Sequence, residues 1–171
     1  HLLAPRPQNR ALSALFMATS PEGLGPEHEL DFEGEEARVL EASRRHPFSL
    51  VVEESGNIVD EKGEPGELKF TVQAHGDGAF DVVYLTGHAT HADDGPRFAA
   101  ETLTGDPQWV SARQIADALP SKPSLVFLSG CRTGEAPLAG TMLSMAEELL
   151  DHGVPAVLGW GRPVIDAQAT E

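Results

Sequence analysis

Cysteine, basic side chains and long apolar runs are all scarce in this chain. One cysteine among 171 residues excludes an internal disulfide framework and a multi-cysteine zinc site, and it suits a reducing compartment. Only 12 Lys and Arg residues oppose 27 Asp and Glu residues, a net charge of −15, whereas nucleic-acid binding normally needs basic patches. No apolar run approaches the roughly 20 residues that span a bilayer. We therefore expect a cytoplasmic protein that binds neither nucleic acid nor a membrane directly.

Short apolar stretches alternate with helical patterns along the chain. Strands are predicted at residues 11–18, 48–52, 81–86, 124–128 and 155–158, and helices at residues 33–45, 111–119 and 138–151. Residues 68–72 are predicted to pair as a strand with a neighbouring segment. Residues 53–66 and 91–108 are predicted to be loops, because glycine, proline or acidic residues are frequent in them. The alternation predicts one α/β domain with a mostly parallel sheet.

Two of the predicted strands are each followed by a small polar residue, a glycine and a reactive side chain. They read DVVYLTGHATH at residues 81–91 and SLVFLSGCRTG at residues 124–134. The helix predicted between them makes the connection a crossover, so the strands should be parallel and end at the same edge of the sheet. Because neighbouring strands lie roughly 4.8 Å apart, we expect His88 and Cys131 to face each other. The glycine before each of them is expected to end its strand in a tight turn.

A histidine beside a cysteine has a chemical use. The imidazole can take the thiol proton, the thiolate can attack a carbonyl carbon, and the imidazolium can then protonate the leaving amine. Backbone N–H groups in the glycine turns would stabilise the oxyanion that develops. The residues alone leave a second interpretation open, in which the cysteine is buried and inert and the histidine is structural.

The motifs TGHATH and LSGCRTG resemble those of the CHAT domain, which is similar to the caspase-like cysteine peptidases of the separase, gingipain and metacaspase group. The stretch GVPAVLGWGRPVIDAQAT at residues 153–170 also resembles the CHAT continuation. The similarity is clear over residues 80–171 and extends to the N-terminal half in outline. It implies a caspase-like sheet flanked by helices and a cysteine endopeptidase that needs no cofactor. The caspase signature places its histidine roughly 50 residues before the cysteine, and here the separation is 43 residues.

The resemblance assigns roles to individual residues. Cys131 would be the nucleophile and His88 the general base and acid. The backbone amides of Cys131 and Ala89 would bind the oxyanion. Many relatives have glycine where this chain has Ala89, which keeps the N–H group and adds a methyl group.

A substrate pocket is expected near Ser129, Arg132 and Asp166. Relatives that cleave after Arg or Lys often carry an aspartate two residues before the cysteine. Ser129 occupies that position here, so the resemblance does not imply a basic P1 preference. Arg132 would hold the loop or steer a substrate carboxylate, and Asp166 would be structural or part of the pocket.

The resemblance also implies partners. Because CHAT domains are often attached to TPR repeats, we expect an N-terminal repeat domain outside this chain and a partner that recruits the protein substrate or activates the site. In the family, further sheet and helix follow the Asp-x-x-Ala-Thr stretch. We therefore expect residues 1–171 to form one domain that lacks its C-terminal part. A second segment, separated for example by proteolytic processing, would complete the fold.

Two other functions remain open at this point. A caspase-like fold could act as a scaffold whose dyad is unused or dormant until a partner binds. A metallo-hydrolase is the other, since His88, His91, Asp93 and Asp94 lie within seven residues. Their spacing differs from the dinuclear zinc pattern H-x-H-x-D-H, and no second ligand cluster is evident. We therefore expect no metal.

Overall fold

The computed structural model describes residues 11–22, 32–44, 47–132 and 141–159. Within these residues the elements are, in chain order, β1 (Leu12–Ala18), α1 (Phe32–Ser43), β2 (Phe48–Glu53), α2 (Glu67–His75), β3 (Val82–Ala92), β4 (Gly95–Glu101), β5 (Pro107–Val110), α3 (Ala112–Asp117), β6 (Leu125–Arg132), α4 (Thr141–Asp151) and β7 (Val157–Gly159). Among the described residues, none of the helices has the length and hydrophobicity needed to span a bilayer. The first three residues of the helix predicted at 138–151 lie outside the described residues.

The sheet is mostly parallel, as the sequence predicts. Strands β2, β1, β3, β6 and β7 pair in that order, and every one of these pairings is parallel. Strands β4 and β5 form an antiparallel extension, in which β4 pairs with the last residues of β3. The chain is therefore an α/β protein with helices flanking a mostly parallel sheet.

The main core lies between one face of this sheet and three helices. Alternate strand residues point to the same face, and Leu15, Val83 and Val126 are examples that are almost wholly buried. They belong to one cluster with Leu68 of α2, Ile115 of α3 and Met145 of α4. This packing buries one face of the central strands beneath α2, α3 and α4.

An aromatic row crosses the opposite face of the sheet. Phe16, Tyr84 and Phe127 are in register on β1, β3 and β6. Their ring centroids are 5.2 Å apart for Phe16 and Tyr84, and 4.6 Å apart for Tyr84 and Phe127. Such ring contacts add to the stability of neighbouring strands. The row therefore links β3 and β6, which carry the candidate site, to their neighbour β1.

The strand predicted at residues 68–72 is wrong, because this segment belongs to α2. Leu68 and Val72 are buried, whereas Phe70 between them is 57% exposed. A strand would place all three side chains on one face, but a helix places only residues three or four apart together. The β-branched and aromatic composition favours a strand locally, and packing of Leu68 and Val72 against the core overrides that preference.

The loop predicted at residues 91–108 is also wrong, because it contains the hairpin of β4 and β5. The glycines mark its two turns: Gly95 has φ +123° and Gly105 has φ +86°, a region that residues with side chains rarely adopt. Pro107 begins β5, a position where its missing N–H is tolerated. Between the turns, Phe98 packs into the core.

The helix predicted at residues 111–119 is confirmed as α3, which begins with a capping box. The hydroxyl of Ser111 accepts a hydrogen bond from the Gln114 backbone N–H at 3.3 Å, and the Ser111 N–H donates to the Gln114 side-chain oxygen at 2.9 Å. Two otherwise unpaired donors are thereby satisfied at the start of a short helix.

Candidate active site

Strands β3 and β6 are neighbours and run parallel, as predicted from the crossover between them. Their register runs from Val82 opposite Leu125 to Ala89 opposite Arg132, and it places His88 opposite Cys131. Parallel neighbours lie about 4.8 Å apart. The fold therefore brings together the two residues that sequence reasoning selected, although they are 43 residues apart in the chain.

The tight turns predicted at the two glycines are wrong, because both strands continue through them. Gly87 and Gly130 pair with each other inside the ladder. A Cβ atom on Gly87 would lie 2.1 Å from the Thr19 hydroxyl oxygen and 2.8 Å from the ring of Phe98. Glycine is needed here for the close approach of neighbouring groups, not for a reversal of the chain.

His88 lies at the point where β3 changes its pairing partner along one side. On that side β3 pairs with β1 as far as Thr86 and with β4 from Ala89 onward. Thr19 fills the junction: its N–H donates to the Thr86 carbonyl at 2.9 Å, and its hydroxyl donates to the Ala99 carbonyl at 2.6 Å. Thr19 is fully buried, so these bonds are shielded from water, and they tie the end of β1 to β3 at Thr86 and to β4 at Ala99.

Two of the expected site residues, His88 and Ser129, are buried. His88 is 1% exposed and Ser129 is 3% exposed, so neither side chain contacts solvent to a useful extent. Of Cys131 and Arg132 the structure describes the backbone, and Arg132 is the last residue of β6. Asp166 lies outside the described residues. Ala89, the second expected oxyanion donor, lies within β3 and not in a turn.

An acidic cluster at the carboxyl ends of β1 and β2 was missed from the sequence. The Glu53 carboxylate accepts a backbone N–H from Gly56 at 3.1 Å, and the Glu101 carboxylate accepts the Ser20 N–H at 2.6 Å. Burial raises the pKa of Glu101, the Ser20 hydrogen bond opposes this, and the charges of Glu53 and Glu22 raise the pKa further. The available signal was that Glu53 and Glu101 each end an apolar strand pattern.

The histidines and aspartates after Gly87 do not assemble into a metal centre. His88 is buried, whereas His91 on the same strand is exposed, and the Asp94 carboxylate forms an ion pair with Arg97. In the part of the chain that the structure describes, no three His, Cys, Asp or Glu side chains are placed to hold a metal ion. The described residues therefore give no support to the metallo-hydrolase interpretation.

A family model for the CHAT domain matches residues 4–171. The chain belongs to the CHAT-domain family. The match spans almost the whole chain, including β3, β6 and the two motifs that contain His88 and Cys131. CHAT domains are caspase-like, in agreement with the mostly parallel sheet described above. No curated protein matches the chain.

Proposed function

We propose that this CHAT domain is a cysteine endopeptidase that cleaves a protein substrate through a dyad of Cys131 and His88. The register of β3 and β6 is the observation that carries the proposal, because it sets the backbones of these two residues side by side. A catalytic nucleophile and its base must come within hydrogen-bond reach of each other. Membership of a caspase-like family supports the same assignment.

In the proposed reaction, His88 accepts the thiol proton and the Cys131 thiolate attacks the scissile carbonyl carbon. The backbone amides of Cys131 and Ala89 bind the oxyanion once the end of β3, where Ala89 pairs with Phe98 and Arg132, has opened. The imidazolium then protonates the leaving amine. Water, activated by the same imidazole, hydrolyses the acyl-enzyme. No metal or cofactor takes part in these steps.

The burial of His88 favours a site that is gated. At 1% exposure, the imidazole cannot reach the amine of a substrate until the residues covering it move. We therefore propose that a partner or signal opens the site, and that this partner also recruits the substrate. Enzymes commonly complete their catalytic constellation by such a conformational step.

A dormant scaffold is the second candidate function, and the same burial favours it. If the site never opens, His88 and Ser129 act as buried structural residues and the domain serves only to bind partners. Ser129 pairs in register with Thr86 inside the ladder, which suits a structural residue. As a contributor to the substrate pocket, Ser129 requires the same opening as His88.

The test is the rate at which Cys131 reacts with a peptidyl acyloxymethyl ketone, measured by mass spectrometry on the full-length protein. The measurement is made both on purified protein and in native cell extract, where an activating partner is present. We expect labelling faster than that of free cysteine at pH 7, and at least tenfold slower labelling in His88→Gln. His91→Gln is the matched control, because it changes an exposed histidine of the same strand.

Cys131→Ala should abolish the labelling. Labelling no faster than that of a free thiol in both settings, and unchanged in His88→Gln, would refute the peptidase and leave the scaffold. A normal urea unfolding midpoint of His88→Gln is needed alongside, because the replaced side chain is buried. If that midpoint falls, the pH dependence of labelling in the unmodified protein decides, since an activated thiolate forms well below the ordinary thiol pKa of about 8.5.

A further inference from the structure

A groove lies between the loop that follows β2, the first turns of α2 and the turn between β4 and β5. It has a volume of about 350 Å³, within the range of sites that bind small groups or side chains. We call it the α2 groove and define it by Val59, Glu61, Pro65, Glu67, Phe70 and Leu103. None of these residues has a role in the proposed catalysis.

The α2 groove has apolar walls that face solvent. Phe70 is 57% exposed and Leu103 is 75% exposed, and both line the same groove. Phe70 is on the side of α2 turned away from the core, and Leu103 is in the turn after β4. Single exposed apolar residues are ordinary, but two large ones around a concave surface are typical of a site that binds a partner.

The frame of the α2 groove is held by hydrogen bonds, so its shape exists before anything binds. The Asn57 side-chain amide donates to the carbonyls of Val59 at 2.8 Å and Glu101 at 2.7 Å, and its oxygen accepts the Glu67 N–H at 3.1 Å. The Gln108 side chain donates to the Asp60 carbonyl at 3.1 Å. A preformed groove loses little conformational entropy on binding.

The charge of the α2 groove selects the kind of partner: three carboxylates, those of Asp60, Glu61 and Glu67, and one cation, Lys62, line it. Among the described residues, the carboxylates of Glu61 and Glu67 form no ion pair or hydrogen bond, whereas the Asp60 carboxylate accepts the backbone N–H groups of Lys62 and Glu64. The chain as a whole carries a net charge of −15. An acidic segment would be repelled here, and a basic one would be attracted.

We propose that the α2 groove binds a segment of a partner protein in which an apolar side chain is flanked by Lys or Arg. The apolar side chain packs between Phe70 and Leu103, and the flanking cations pair with Glu61 and Glu67. This binding requires neither His88 nor Cys131, so it stands or fails independently of the proposed peptidase activity. In the full protein it would serve to recruit or dock that partner.

The probes are fluorescein-labelled synthetic nonapeptides with a central Leu, Phe or Trp and Lys or Arg on both sides. Comparison peptides carry Glu in place of the basic residues, or Ser in place of the apolar one. Binding is measured by fluorescence anisotropy on the full chain with Cys131→Ala, which prevents cleavage. We expect the basic apolar peptides to bind at least tenfold more tightly than either comparison set, and to weaken as salt is added.

Variants of the chain locate the binding. Phe70→Ser and Leu103→Ser should each weaken binding at least tenfold, whereas Leu143→Ser, with the same 57% exposure as Phe70 but on α4, should leave it unchanged. The pair Glu61→Gln and Glu67→Gln should weaken binding and reduce its salt dependence. Glu147→Gln, an exposed carboxylate of α4, is the charge control.

Three results would overturn the proposal. The first is equal binding of all peptide sets, and the second is binding that Phe70→Ser and Leu103→Ser both leave unchanged. The third is self-association in sedimentation that Phe70→Ser abolishes, which would assign the groove to a second copy of this chain. If Phe70→Ser fails to fold, Leu103→Ser decides alone, since its side chain is the more exposed.

Discussion

Replacing Gly87 by alanine tests how tightly the candidate site is built. The added Cβ would lie 2.1 Å from the Thr19 hydroxyl oxygen and 2.8 Å from the Phe98 ring, both well inside van der Waals contact. Thr19 and Phe98 are both 0% exposed, so neither has free space into which it can move. The new methyl group must therefore displace Thr19, whose hydroxyl holds the Ala99 carbonyl at 2.6 Å.

Two costs combine in this variant. Forcing an extra methyl group into a packed interior costs about 1–3 kcal/mol, and loss of the Thr19 hydrogen bond costs about 1 kcal/mol more. We expect the free energy of unfolding to fall by about 2–4 kcal/mol. With an m value of about 2 kcal/mol/M in urea, the unfolding midpoint should fall by about 1–2 M.

Urea unfolding followed by circular dichroism measures this change. Gly153→Ala is the control for backbone strain, because Gly153 has φ +89° and open space around it; its cost should be smaller and come from φ alone. Thr19→Ala combined with Gly87→Ala should cost less than the sum of the single changes, since removing the hydroxyl makes room for the methyl group. A change below about 0.5 kcal/mol for Gly87→Ala would refute the close packing described beside His88.

Three further outcomes follow from the described contacts, each measured by urea unfolding. Ser111→Ala should cost about 1 kcal/mol, because it removes the capping bond to Gln114; Ser111→Thr, which keeps the hydroxyl, should cost clearly less. Leu68→Ala should cost about 2–5 kcal/mol, whereas Phe70→Ala should change stability by less than about 0.5 kcal/mol; similar costs would contradict the helix. Glu101 has a raised pKa in the folded state, so the native protein holds its proton more tightly than the unfolded chain does. Stability should therefore decrease as the pH rises from 4.5 through the raised value, and a decrease equally large in Glu101→Gln would refute the assignment.

The alternation of strands and helices could be predicted from the sequence, because the apolar repeat of a strand and that of a helix are both local patterns. The strands at 81–86 and 124–128 have continuous apolar runs, and the Ser111–Gln114 capping box lies within four residues. The crossover between the strands then implied their parallel pairing. That rule of connection depends on chain order alone, so the neighbouring positions of His88 and Cys131 followed from the sequence.

The secondary structure was predicted wrongly for segments whose local conformational preference conflicts with their packing in the fold. The residues of α2 include β-branched and aromatic side chains, and only burial of Leu68 and Val72 shows that they form a helix. The glycines of residues 91–108 indicated turns in the chain, but they did not indicate that the segments between the turns pair as β-strands. Pairing of β4 with β3 depends on Phe98 reaching the core, a contact that no local pattern contains.

The amino-acid sequence predicts the α/β class, the parallel order of the two central strands and the pairing of His88 with Cys131, because each follows from local periodicity and chain connectivity. Folding of the whole chain decided that Gly87 lies inside a strand, that Thr19 packs beside it, and that His88 is buried. It also decided where Phe70 and Leu103 meet around a groove. These features arise from contacts between residues that are distant in the chain. Such contacts depend on how side chains from several elements pack together, which no local sequence pattern contains.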